Sequence, residues 1–158
     1  MGPHHYRAVV RWEGSTGAGY EAYGRAHDVA CPPAPAALRL SGDPAFGGDA
    51  ELLDPEQLLL AAASSCQLLS FLAVAARARV DVVAYTDEAE AIMPEDDEPV
   101  RITAIVLSPR ITVRSGPSEE RVRDLVDLAH RQCYVANSLR SAITVQPTIV
   151  YREAPTTP

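Results

Sequence analysis

A chain of 158 residues, 47% apolar and 22% charged, has one domain's length and enough apolar material to build a core without disulfides or metals. Aromatics are only 6%, so that core has to be filled by Leu, Val, Ile and Ala. The net charge is −7 and all 14 basic residues are Arg, which leaves no cationic footprint for nucleic acid or an acidic membrane surface and excludes both as partners.

In chain order, residues 6–13 read as a strand that breaks at Gly14-Ser15-Thr16-Gly17 and returns over 19–30 as a hairpin. Pro32, Pro33 and Pro35 interrupt it, residues 36–40 allow one short strand, and the glycines and proline of 41–53 mark a loop. Asp54-Pro55-Glu56-Gln57 opens a helix: Asp54 caps, Pro55 fits the first position, Glu56 faces the positive dipole end and Gln57 closes a capping box. Residues 57–76 carry no charge, which is long enough to span a bilayer. Ser64, Ser65, Gln67 and Ser70 in its middle favour instead a core helix of a soluble domain, buried on all sides with the help of a second subunit.

Residues 80–93 and 100–114 read as two strands around the acidic turn 94–99, with Pro109 marking an edge or bulge. Ser118 caps a second helix whose apolar positions Val122, Leu125, Val126, Ala129 and Cys133 follow helical spacing. A last strand is expected over 142–151, with Pro147 near an edge. The result is a single α+β domain over 1–158, about six strands in antiparallel sheets packed around two principal helices, with 1–5 and 154–158 frayed.

Three cysteines, Cys31, Cys66 and Cys133, are too few and too far apart for a disulfide scaffold or a zinc ribbon. Residues 1–14 have no signal-peptide core, so a reducing cytoplasm is the expected compartment. Cys66 and Cys133 both lie on inward helix faces. Two inert core thiols are the plain reading, although Ser64, Ser65 and Gln67 make the surroundings of Cys66 polar for dry packing. A metal site is a further alternative, since His130 and Cys133 share a helix face and Cys66 could join them.

The order of motifs resembles the OsmC/Ohr family (osmotically inducible protein C and organic hydroperoxide resistance protein). A helix opens with Asp54-Pro55-Glu56-Gln57-Leu58, Ser65-Cys66 follows ten residues after the Glu, and two strands later comes Ala129-His130-Arg131-Gln132-Cys133-Tyr134-Val135-Ala136-Asn137-Ser138. The resemblance implies an OsmC-like fold, an intertwined homodimer and a cofactor-free thiol peroxidase acting on organic hydroperoxides, reset by a dithiol reductant of lipoyl type. It makes Cys66 the peroxidatic and Cys133 the resolving cysteine, and gives Glu56 the task of orienting an arginine that keeps Cys66 deprotonated. Glu56 and Cys66 stand about 15 Å apart along one helix, so in a shared site Glu56 comes from the partner subunit.

The sequence departs from the family pattern at that arginine. The turn 14–19 contains none, and Tyr23-Gly24-Arg25-Ala26-His27 supplies the nearest, with Arg11 in reserve. Arg25 is therefore the expected cation, the alternative being a surface charge paired with Asp28 or Glu21. His27, two residues on, and Ser65 are expected at the substrate. The alternatives to the peroxidase are a non-catalytic member of the same fold that binds an apolar ligand, and the metal site.

Overall fold

The computed structural model describes residues 2–153, so the expected fraying of 154–158 lies outside the described residues. Residues 2–5 are exposed and join no regular element. The chain forms two compact units that divide after Leu58.

In the first unit, β1 (Val9–Arg11), β2 (His27–Ala30) and β3 (Ala37–Leu40) make an antiparallel sheet in that order. Val10 pairs with Val29, and Asp28 with Arg39. The hairpin expected from the sequence is present but its strands are much shorter. Side-chain interactions replace the ladder between them. Trp12 Nε1 donates to the Gly24 carbonyl (2.8 Å), its ring meets Tyr23 edge to face, and residues 16–22 curl through Gly19 at φ 98°. In the loop that follows, Asp43 caps the short 3₁₀ turn Pro44–Phe46 through the Ala45 N–H. The buried Ser41 hydroxyl accepts from the Asp49 N–H (3.0 Å).

The helix α1 (Pro55–Arg77) starts at the expected box: the Gln57 N–H donates to Asp54 Oδ1 (2.7 Å) and the Asp54 N–H to Gln57 Oε1 (3.3 Å). It ends where Arg79 takes a left-handed conformation (φ 58°) and the Val80 N–H reaches back to the Ala75 carbonyl (2.9 Å). By length and composition alone α1 is apolar enough to cross a bilayer. In the fold it is a core helix, with Ala63, Gln67, Phe71, Val74 and Ala75 buried. Burial on every side is not what the chain achieves by itself, because Ala61, Ala62, Ser65, Leu69, Leu72, Ala73 and Ala76 remain exposed.

Among the described residues the chain has nine strands where six were expected. The difference has one cause. Each of the three long strands breaks at the same level and serves two sheets. Residues 80–93 become β4 (Val82–Asp87) and β5 (Glu90–Ile92), and 100–114 become β6 (Ala104–Leu107) and β7 (Pro109–Arg114). Residues 142–151 become β8 (Ala142–Val145) and β9 (Thr148–Arg152). The sheets are ordered β4-β7-β9 and β5-β6-β8. At the breaks, Pro109 and Pro147 have no N–H to give a ladder. The Ser108 N–H goes to Asp87 Oδ1 instead (2.7 Å), and Ser64 of α1 donates to Asp87 Oδ2 (2.5 Å).

The sheets are mixed rather than antiparallel: β6–β8 and β7–β9 run parallel. Between β7 and β8 the chain crosses over through α2 (Glu119–Gln132), and a crossover of that length returns the strand in the same direction. Ser118 caps α2 through the Arg121 N–H (3.2 Å), with Glu119 and Glu120 in the first turn. Its expected apolar positions Val122, Leu125, Val126 and Ala129 are all buried, packed against Phe71, Val74 and Ala75 of α1 and Ile111 and Val113 of β7. Ala63, Ile105 and Leu107 form a second cluster.

Candidate functional site

Two cysteines distant in sequence meet at the junction of the two helices. Cys66 is half-buried in the middle of α1, and Cys133 is buried as the residue that ends α2, its N–H bonded to the His130 carbonyl (3.1 Å). After Cys133 the chain turns tightly. The Asn137 N–H and Nδ2 both donate to the Cys133 carbonyl (3.0 Å each), and Ser138 Oγ donates to the Tyr134 carbonyl (2.7 Å). This turn aims backbone donors at Cys66, with the Val135 N–H 3.5 Å from its Sγ.

The two thiols have opposite electrostatic fates. Burial by itself would push Cys66 up, but it is outweighed by hydrogen bonds from the Val135 N–H, the Cys133 thiol, the Tyr134 N–H and the Ser70 hydroxyl, so Cys66 lies below the ordinary thiol value. Cys133 is pushed up to about 11, first by burial and then by its bond and proximity to the Cys66 sulfur, against lowering bonds from Ala136 and Val135. The arrangement favours a thiolate at Cys66 and a protonated donor at Cys133. Tyr85 is also pushed up, by burial and then by Asp87 and Cys133, and its hydroxyl has no partner.

Beside Cys66 opens a groove of about 240 Å³, lined by Leu69, Ser70, Ala73 and Arg77 of α1 and by Gln132 and Tyr134. Ser70, which the sequence shows only as one of the polar residues in the middle of the helix, lies one helical turn beyond Cys66. The Tyr134 and Val135 N–H groups carry no side-chain signal and become visible only through the turn. Ser65 is exposed on α1 next to Cys66. Glu56 sits half-buried in the first turn of α1, and since Asp54 and Gln57 make the cap, its carboxylate is not used there. The helix between Glu56 and Cys66 is unbroken.

In the first unit Arg25 precedes β2 rather than lying on it. Its guanidinium stands over the rings of Tyr20 (4.6 Å) and Tyr23 (4.4 Å) and donates to the Tyr20 (2.9 Å) and Tyr23 (3.1 Å) carbonyls. Asp28 pairs with Arg39 (3.1 Å) rather than with Arg25. Gly47, at φ 78°, packs against the guanidinium so closely that a Cβ there would stand 2.9 Å from Arg25 Cζ. His27 Nδ1 bonds the Arg25 carbonyl (2.9 Å), and Arg25 and His27 line a pocket of about 330 Å³ with Val10, Trp12, Thr16 and Tyr23. Arg11 is exposed on β1. Among the described residues no three His, Cys, Asp or Glu side chains converge as metal ligands, so His130 does not complete a set with the cysteines. Its Nδ1 is buried without a partner.

A family model described as OsmC-like protein matches residues 48–148. Among solved structures, an OsmC-like protein of unknown function from Vibrio cholerae superposes with a TM-score of 0.84 at 27% identity, covering 92% of this chain and 100% of that one. An organic hydroperoxide resistance protein from Elizabethkingia anophelis gives 0.71 at 20% identity (96% and 99% covered). That of Bacillus subtilis gives 0.59 at 17% (92% and 98%). No curated protein sequence matches the chain.

Proposed function

For a chain that belongs to the OsmC-like protein family, we propose the activity of a cysteine-based thiol peroxidase that reduces organic hydroperoxides. The observation that carries the reading is the meeting of two thiols distant in sequence, Cys66 of α1 and Cys133 at the end of α2, beneath a turn that brings the Val135 N–H to 3.5 Å from the Cys66 sulfur. The Cys66 thiolate attacks the terminal peroxide oxygen. An S–O bond forms, the O–O bond breaks, and the alkoxide leaves as an alcohol after taking a proton. Cys133 then loses its proton and its sulfur attacks the Cys66 sulfenic acid, forming the Cys66–Cys133 disulfide and releasing water. A dithiol reductant, of lipoyl type in this reading, restores both thiols by exchange.

The exposed apolar face of α1, with Leu69 and Leu72 on it, is the surface a second copy of the chain covers in a homodimer. In that dimer Glu56 and Arg25 serve the site, Glu56 orienting the guanidinium and Arg25 stabilising the thiolate and the departing oxygen. Both units of the chain then act as one functional domain, His27 and Ser65 contact the substrate, and the reaction belongs in a reducing cytoplasm.

Cumene hydroperoxide added in equimolar amount to the reduced protein tests this. Two thiols should disappear and a Cys66–Cys133 disulfide should appear by peptide mass mapping. Two intact thiols after treatment would overturn the peroxidase and leave the same exposed apolar face to a non-catalytic binder of apolar ligands.

A further inference from the structure

Many helices end on a left-handed glycine, which lets the N–H groups that follow turn back to the last carbonyls. α2 ends otherwise. Cys133 closes it with an extended backbone (φ −70°, ψ 113°), and no glycine follows before the 3₁₀ turn Ala136–Ser138. Side chains serve the carbonyls instead. Asn137 Nδ2 donates to the carbonyls of Arg131 and Cys133 (3.0 Å each), and Ser138 Oγ donates to that of Tyr134 (2.7 Å). Both residues are exposed, where water would satisfy an amide or a hydroxyl equally well. Both nevertheless bend back onto the turn.

A carbonyl and the N–H of the next residue belong to one planar peptide unit, and in a trans unit they point opposite ways. The cis bonds among the described residues lie elsewhere, at Pro33 and Pro99. Fixing the Cys133 carbonyl therefore fixes the Tyr134 N–H, and fixing the Tyr134 carbonyl fixes the Val135 N–H. Those are the two N–H groups that reach the Cys66 sulfur. At 3.5 Å, the Val135 contact leaves its peptide unit little room to rotate before the bond is lost. We propose that Asn137 and Ser138 are positioning residues, which lock these two peptide units with their N–H groups on the Cys66 sulfur. For its place in the reaction this rests on the peroxidase reading, in which that sulfur attacks; how the sulfur is held does not depend on it. Capping α2 is the plainer role for the same bonds. That role would show in the stability of the chain without reaching the sulfur.

The test is the pH midpoint of Cys66 alkylation by iodoacetamide in the reduced full chain, with stability followed by urea unfolding. Asn137→Ala and Ser138→Ala should each raise the midpoint by roughly half to one pH unit, part of what a full hydrogen bond to a charged group contributes. The shift in Asn137→Ala stays partial because the backbone N–H at 137 still reaches the Cys133 carbonyl. Ser138→Thr keeps a hydroxyl in reach of the Tyr134 carbonyl and should hold the native midpoint. Ser118→Ala removes the cap at the far end of α2 and should lower stability without moving the midpoint. Cys133, Tyr134 and Arg77, the titratable side chains that bond to the sulfur or line its groove, are unchanged in all four variants. An unmoved midpoint in either Asn137→Ala or Ser138→Ala, a shift in Ser138→Thr as large as in Ser138→Ala, or an equal shift in Ser118→Ala would each overturn the proposal. No peroxide enters the measurement, so it succeeds or fails separately from disulfide formation by cumene hydroperoxide.

Discussion

The backbone N–H of Val135 points at the sulfur of Cys66 from 69 residues further along the chain, at 3.5 Å. The bond exists because Cys133 ends α2 and sends the chain straight back over α1. A helix interior gives a thiol little help from its dipole, which acts at the first and last turns. The turn supplies what the dipole does not, the N–H groups of Tyr134 and Val135. The Cys133 thiol and Ser70 hydroxyl add to it.

That geometry predicts an order of alkylation. With rising pH, iodoacetamide should label Cys66 first, with a midpoint below an ordinary thiol, while Cys133 resists until far higher pH, in keeping with its value of about 11. Ser70→Ala should raise the Cys66 midpoint, and Cys133→Ala should raise it more, since Cys133 is the stronger donor. The stability linkage follows with opposite signs. The depressed Cys66 contributes stability present above the ordinary thiol value and lost as pH falls through its folded value. The raised Cys133 contributes stability present below the ordinary value and lost as pH rises towards about 11. Site-resolved mass spectrometry across a pH series checks the order.

Turnover separates the two sulfurs. Cys66→Ser should have no peroxidase activity, because a serine hydroxyl stays protonated and cannot attack the O–O bond. Cys133→Ser should complete one oxidation and stall as a sulfenic or sulfinic acid. Steady-state turnover with a dithiol reductant distinguishes them, and cycling by Cys133→Ser at the native rate would remove the resolving role.

Arg25 and Gly47 offer a test in the first unit. A methyl group at Gly47 would meet the guanidinium at 2.9 Å and sit on a backbone at φ 78°. Gly47→Ala should therefore cost about 1–2 kcal/mol of stability, read by urea unfolding. If Arg25 serves Cys66, Arg25→Ala should raise the Cys66 midpoint and slow peroxide attack, and an unmoved thiol titration would detach it from the site.

Asp87 holds the level at which the strands divide. Asp87→Ala removes acceptors for the Ser108 N–H and the Ser64 hydroxyl. Hydrogen bonds to a charged group are worth about 1.5–3 kcal/mol each, and the half-buried position moderates their sum. A loss of about 2–3 kcal/mol of unfolding free energy is expected, read as a lower denaturant midpoint.

The amino-acid sequence alone determined the local events. The Asp54–Gln57 box, the Ser118 cap and the inward face of α2 follow from short-range hydrogen bonding and a fixed helical period. The motif order around Cys66 and Cys133 was legible for the same reason. Tertiary structure alone decided the rest. A strand's period is the same whether it serves one sheet or two, so Pro109 and Pro147 marked an edge or bulge without showing that the strands there pass from one sheet to another, and the parallel pairing of β8 with β6 and of β9 with β7 depends on where α2 returns the chain. Two of the four donors that lower Cys66, the largest among them, are backbone N–H groups, present at nearly every position of any sequence. They act here only because packing of α1 against α2 brings one particular turn to one particular sulfur.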